Sequence, residues 1–179
     1  MIELYYDFQK AYDNVNHSFL EKLLDVYGFP FGIQMLITEM MARWTNRLSY
    51  GAKKEVGEVR LENGIIQGDA FSPLLFVLVI DPLVKILKKR TGNDAEILNY
   101  MDDLKASMST IGAAQTVHET LKQYAQSVGM VINTKKSAIQ LNQGVPNLKI
   151  NYRFYCIVTT WQIPPGNATR LAHPLLSDN

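Results

Sequence analysis

The chain has 179 residues, 47% of them hydrophobic and 20% charged, with a net charge of +1. That is the composition of one ordinary globular domain long enough to bury a core, not of a disordered or fibrous chain. A balance so near neutral excludes a global basic field for gripping nucleic acid. The single cysteine, Cys156, excludes an internal disulfide framework and fits a reducing compartment, and the sequence leaves the location unknown between intracellular options, nuclear or cytoplasmic.

No apolar run reaches membrane-spanning length, and no membrane partner is expected. The longest run, Phe71 to Leu87, is interrupted by Ser72, Pro73, Asp81, Pro82 and Lys85. No signal-peptide pattern precedes the strand-like Ile2-Glu3-Leu4-Tyr5-Tyr6, an abrupt start that suggests missing upstream sequence. No internal repeat is visible.

That first strand runs straight into Asp7, an acid costly to bury beside aromatic residues unless a cation or donor meets it. Asp13, Asn14 and Asn16 supply turn and capping chemistry. Phe19, Leu20, Leu23, Leu24 and Tyr27 then fall at helical spacing, and Gly28 and Pro30 stop that helix. A second helix is expected from about Gly32 to Trp44, burying Ile33, Leu36, Ile37, Met40 and Met41. Arg47 to Tyr50 and Glu58 to Leu61 alternate as strands about a Gly51-to-Gly57 turn region that carries Lys53 and Lys54.

Gly64-Ile65-Ile66-Gln67-Gly68-Asp69-Ala70-Phe71-Ser72-Pro73 follows. Its glycines permit close approach to another chain or ligand, and Ser72-Pro73 is a good helix start. The helix from Pro73 to about Arg90 is apolar on nearly all sides and is expected to be deeply buried. Lys85, Lys88, Lys89 and Arg90 complement the dipole at its end.

Asn99-Tyr100-Met101-Asp102-Asp103-Leu104 places adjacent acids between two strand-like flanks joined by a tight turn. Such a hairpin tip can aim both carboxylates at one hard cation, and Mg²⁺ takes oxygen ligands of this kind. A helix is expected over Ile111 to Val128, with His118 at its surface. Gly129 ends it, Met130 to Asn133 returns extended, and Ala138 to Leu141 reads as a strand after Lys135-Lys136-Ser137. From Gln143 the pattern breaks up around Pro146, Pro164, Pro165, Gly166 and Pro174, although Tyr152 to Trp161 can form a strand.

Taken together these segments resemble reverse transcriptases, and most closely those of LINE-type (non-LTR) retrotransposons. The motifs that carry the resemblance are Asp7 to His17, Gly64 to Pro73, Tyr100 to Asp103 and Gly129 to Ser137, in family order. The resemblance implies an α+β fold, the ferredoxin-like polymerase palm, with an antiparallel sheet and helices packed on one face. Asp7, Asp102 and Asp103 match the family's palm carboxylates, which implies two Mg²⁺ ions, with Mn²⁺ as a substitute. Phe8 belongs to the same nucleotide-binding motif. Tyr12 stands at the family's aromatic gate against a sugar 2′-hydroxyl. Gln67 and Gly68 match the segment lying against nucleotide and template. Lys136 matches a lysine proposed to protonate the leaving pyrophosphate, whereas Asp13 and His17 read as turn and helix-start structure.

The implied function is RNA-directed DNA polymerisation, with an RNA template, a DNA primer and dNTPs as partners. Residues 1–142 form the palm in this reading, with the fingers segments missing, and 143–179 are an irregular tail or a remnant of the primer-grip and thumb region. There are two rivals: from a different class, a truncated, catalytically silent palm retained as a binding or structural module or as a remnant; and another palm-type nucleotidyltransferase, such as a nucleotide cyclase. The second lacks its Gly-Gly-Asp/Glu-Glu-Phe-type signature.

Overall fold

The computed structural model describes residues 1–51, 54–141 and 155–157. In chain order its elements are β1 (Ile2–Tyr6), β2 (Phe8–Gln9), α1 (His17–Val26), α2 (Phe31–Ala42), β3 (Thr45–Tyr50), β4 (Lys54–Arg60) and α3 (Ser72–Thr91). They continue with β5 (Ala95–Tyr100), β6 (Asp103–Met108), α4 (Ile111–Val128), β7 (Val131–Ile132), β8 (Ala138–Leu141) and β9 (Tyr155–Ile157). The expectations for Lys53 and for the tail fall outside the described residues, except that β9 lies within the strand foreseen over Tyr152 to Trp161.

The chain divides into two compact units. The first contains Met1–Gln9, Leu83–Gln126 and the chain from Val131 onward. Its sheet has the order β5-β6-β1-β8-β9, antiparallel throughout except that β9 joins β8 in parallel. Alternation along the strands sets one face inward: Ile2, Leu4 and Tyr6 of β1 pair with Met108, Ala106 and Leu104 of β6, and all are buried. Leu83 and Leu87 of α3, and Ala114, Val117, Leu121 and Ala125 of α4, fall at helical spacing and are buried too. Arg90 ties the two helices, donating to Thr120 Oγ1 at 3.0 Å and to Gln123 Oε1 at 3.2 Å. The result is an α+β palm whose sheet has one face covered and one face open.

His118 departs from expectation. It is not a surface residue but only 7% exposed, and its Nδ1 lies 2.9 Å from the Tyr6 hydroxyl. The helical period sets it one residue after Val117 and three before Leu121, beside the inward stripe, where a phenol meets its polar atom.

The second unit contains Lys10–Pro82 and Ser127–Met130. Asn16 caps α1 as expected, its Oδ1 accepting from Phe19 N at 2.9 Å, and Leu20, Leu23 and Leu24 are buried. Of the residues expected to be buried on α2, Ile37 and Met41 are, whereas Ile33 and Leu36 are exposed. The helix is apolar on most sides, and a single i, i+4 stripe suffices for its packing, so composition overstated its burial. α3 is corrected in the same way: Leu75, Phe76, Val79 and Ile80 are buried while Leu74 and Val77 are exposed.

β3 and β4 pair as a two-stranded ribbon, with β3 exposed along its whole length. β4 begins at Lys54, so the connecting turn is shorter than the Gly51-to-Gly57 span suggested. Ser72 is the first residue of α3, yet its hydroxyl is buried and has no partner among the described residues. The Asp69 carboxylate accepts from Phe71 N at 2.8 Å just ahead of that helix.

Candidate active site

The last rung between β1 and β6 joins Tyr6 to Leu104. Asp7 and Asp103 are the residues immediately beyond and before it, so they come to the same end of neighbouring strands. Strand spacing in such a sheet is about 5 Å. Tyr100 pairs with Asp103 across the hairpin, leaving Met101 and Asp102 as its loop. Asp103 therefore starts a strand, and Asp102 alone sits at the tip.

A loop this short needs a left-handed residue, and Met101 supplies it at φ 53°. A side chain of this size seldom adopts that conformation, so strain is concentrated beside the two acids. The Asn99 side-chain amide braces the turn by donating to the Met101 carbonyl at 3.2 Å.

Asp7 is held from the other side by the turn between β7 and β8. Its backbone N–H donates to Ser137 Oγ at 3.2 Å, and its carbonyl accepts from Asn133 N at 2.8 Å. Asn133 Nδ2 donates to Asp7 Oδ2 at 2.7 Å, and Lys136 Nζ lies 3.9 Å from Oδ1. The Lys136 side chain is 71% exposed, so that ion pair is loose and solvent-screened. Phe8, the neighbour of Asp7, turns into the core as part of β2 and pairs with Ile132.

The open face of the sheet leads up to these acids. Tyr5, Leu98, Tyr100, Asp103 and Lys105 line a shallow concavity of about 450 Å³ there. Lys105 Nζ lies 2.8 Å from Glu3 Oε1 and 5.3 Å from the centre of the Tyr5 ring. The Lys105 hydrogen bond holds the Glu3 carboxyl below its usual range and, reciprocally, raises the Lys105 ammonium.

Asp7, Asp102 and Asp103 are donors of the hard-oxygen type that Mg²⁺ takes. Among the described residues, however, no three His, Cys, Asp or Glu side chains are grouped closely enough to hold an ion. The described residues thus offer carboxylates at one sheet end.

Tyr12, Gln67 and Gly68 belong to the second unit. The Tyr12 ring lies flat on Phe76, with centroids 4.7 Å apart and planes 5° from parallel. Gln67 and Gly68 are exposed in the loop before α3, Gly68 with φ at +92°. The close approach foreseen for this loop is made by Gly64 to the chain itself, since a Cβ there would stand 2.8 Å from the Asp13 carbonyl oxygen. His17 closes the same junction, its Nε2 donating to the Gly64 carbonyl at 2.6 Å. Asp13 lies in a turn and His17 is the first residue of α1, the positions expected of them.

Asn133 is the residue that sequence reasoning passed over. Its signal was present, since an Asn two residues ahead of Lys135 in a turn is poised to accept from that backbone N–H.

A half-open antiparallel sheet, helices on its other face, and acids at one strand end define a polymerase-type palm. The family model described as reverse transcriptase (RNA-dependent DNA polymerase) matches residues 3–161, and the chain belongs to that family. Its curated relatives include the retrovirus-related Pol polyprotein of the type-1 retrotransposable element R2 from Popillia japonica. That protein is 28% identical over 138 residues, which are 73% of this chain and 19% of the relative. The polyprotein of the type-2 element R2DM from Drosophila melanogaster is 27% identical over 150 residues, 80% of this chain and 14% of that one.

The LINE-type resemblance of the motifs thus has counterparts among retrotransposon proteins, although the chain spans only about a fifth or less of these relatives' length. Among solved structures, apo telomerase from Candida tropicalis truncated from the C-terminal domain shares the fold. It has a TM-score of 0.69 at 14% identity, covering 82% of this chain and 31% of that one. Telomerase from the same organism, in complex with a TWJ fragment of telomeric RNA, has a TM-score of 0.65 at 14% identity, covering 77% and 25%.

Proposed function

We propose that this chain is the catalytic palm of an enzyme that extends a DNA primer on an RNA template. The observation that carries the reading is the register Tyr6–Leu104, which delivers Asp7 and the Asp102–Asp103 turn to one end of the sheet. Asp7, Asp102 and Asp103 would hold two Mg²⁺ ions, or Mn²⁺ in their place, once primer and dNTP supply the remaining ligands. Bound there, such ions lower the cost of ionising a primer hydroxyl and of charge on a leaving phosphate.

In the proposed reaction the primer 3′-hydroxyl gives its proton to solvent water as its oxygen attacks the α-phosphorus of the dNTP, and the bond from that phosphorus to the bridging oxygen breaks. Pyrophosphate carries the electron pair away and takes a proton from the Lys136 ammonium. Tyr12 screens the sugar by its bulk, and Gln67 and Gly68 lie against the nucleotide. Residues 1–142 would form the palm proper. Fingers and thumb segments would supply the basic contacts that a net charge of +1 lacks.

Primer extension on an RNA template tests this, using the intact chain alone and joined to an upstream fingers segment. Extension that vanishes in Asp7→Ala and in Asp102→Ala is expected. No extension in either setting would leave the silent-palm alternative standing.

A further inference from the structure

Asp7 has contacts on its amide, its carbonyl and both carboxylate oxygens, and all of them come from one turn. Asn133 provides the direct grip. Its backbone N–H binds the Asp7 carbonyl at 2.8 Å, and its side chain binds Oδ2 at 2.7 Å.

The orientation of the Asn133 amide is dictated from within the turn. Oδ1 accepts from Lys135 N at 3.3 Å, while the Asn133 carbonyl accepts from Lys136 N at 3.1 Å and from Ser137 N at 2.8 Å. With its oxygen end so committed, the nitrogen end has to face the carboxylate. Ser137 is fully buried, so the far side of the turn is anchored as well.

We infer that Asn133 is a positioning residue for Asp7. It fixes the rotation of the carboxylate by engaging Oδ2 and leaves Oδ1, which Lys136 Nζ approaches only to 3.9 Å, as the oxygen available to a cation. Groups that orient a metal-binding carboxylate in this way typically govern metal affinity or activity by about 10–100-fold. The inference rests on the polymerase reading for its catalytic consequence, but not for its effect on cation binding.

The test compares wild type, Asn133→Ala and Asp7→Ala as intact chains, following Mn²⁺ binding by electron paramagnetic resonance with primer–template and dNTP present, and primer extension by kcat and KM. Asn133→Ala should weaken the Asp7-dependent Mn²⁺ binding and lower kcat by about 10–100-fold, leaving KM for dNTP unchanged. Mn²⁺ affinity and kcat within roughly twofold of wild type, far short of the expected range, would overturn the inference. So would a lowered melting temperature with unchanged Mn²⁺ affinity in the folded fraction, because Asn133 would then be structural only. Absence of any Asp7-dependent Mn²⁺ binding in wild type overturns it outright. A wild type that binds Mn²⁺ through Asp7 yet extends no primer, alone or joined to an upstream fingers segment, sinks the polymerase reading instead, and the Mn²⁺ comparison still decides the role of Asn133.

Discussion

The Tyr6 hydroxyl lies 2.9 Å from His118 Nδ1, a hydrogen bond that joins the last ladder residue before Asp7 to the middle of α4. Burial pushes the His118 imidazole below its ordinary value. The Lys122 charge adds to that effect, and Glu119 opposes it. The folded protein therefore prefers neutral His118, while the unfolded chain takes up a proton near pH 6.5.

Stability from this group is complete above about pH 6.5 and is lost as the pH falls below it. Urea unfolding followed from pH 8 to pH 5 should show that loss, and it should flatten in His118→Leu. The variant should also lose about 1 kcal/mol at pH 8 with the hydrogen bond. An unchanged pH dependence would remove His118 from the account.

Gly64 and Gly68 separate two costs of replacing glycine. Both have positive φ, but only Gly64 has a neighbour in the way, the Asp13 carbonyl oxygen. Gly68→Ala should cost about 1–2 kcal/mol in backbone strain alone. Gly64→Ala adds overpacking to that strain and should cost about 2–5 kcal/mol. Equal losses in denaturant melts would contradict the close approach.

The β3–β4 ribbon has two strands and, with β3 exposed throughout, little to bury. Isolated hairpins of this kind are marginal. Its amides should exchange with deuterium well before those of β1 and β6, which are paired in the five-stranded sheet. Comparable protection would show that the ribbon is covered in solution.

Tyr12→Ala should admit ribonucleotides into an active polymerase, because the change removes the bulk proposed to meet a 2′-hydroxyl. Competition between dNTP and rNTP in primer extension checks this. Its stack on Phe76 also predicts a stability loss of about 3–5 kcal/mol, in the range for buried aromatic truncations and at its upper limit for a half-buried ring. Unchanged sugar selection in a folded, active variant would reduce Tyr12 to packing.

Local patterns carried much of the fold. Helical spacing located α4 from Ile111 to Val128, Asn16 announced the start of α1, and alternation placed the hairpin strands around Asp102. Depth of burial was less legible, because an apolar helix such as α2 does not say which of its faces packs. His118 was misread for a related reason: its buried partner Tyr6 lies more than a hundred residues away, and no local pattern encodes that pairing. The grip of Asn133 on Asp7 is equally non-local, although its turn-forming character was there to be read.

Iron-directed backbone cleavage tests the central claim most directly. Fe²⁺ replaces Mg²⁺ on carboxylate ligands, and the radicals it generates with ascorbate and peroxide cut the chain beside the ion. In the presence of primer–template and dNTP, cuts are predicted near residue 7 and near residues 102–103 together, and both should vanish in Asp102→Asn. Cuts at one of these places without the other, or cuts that survive the substitution, would contradict a shared cation site.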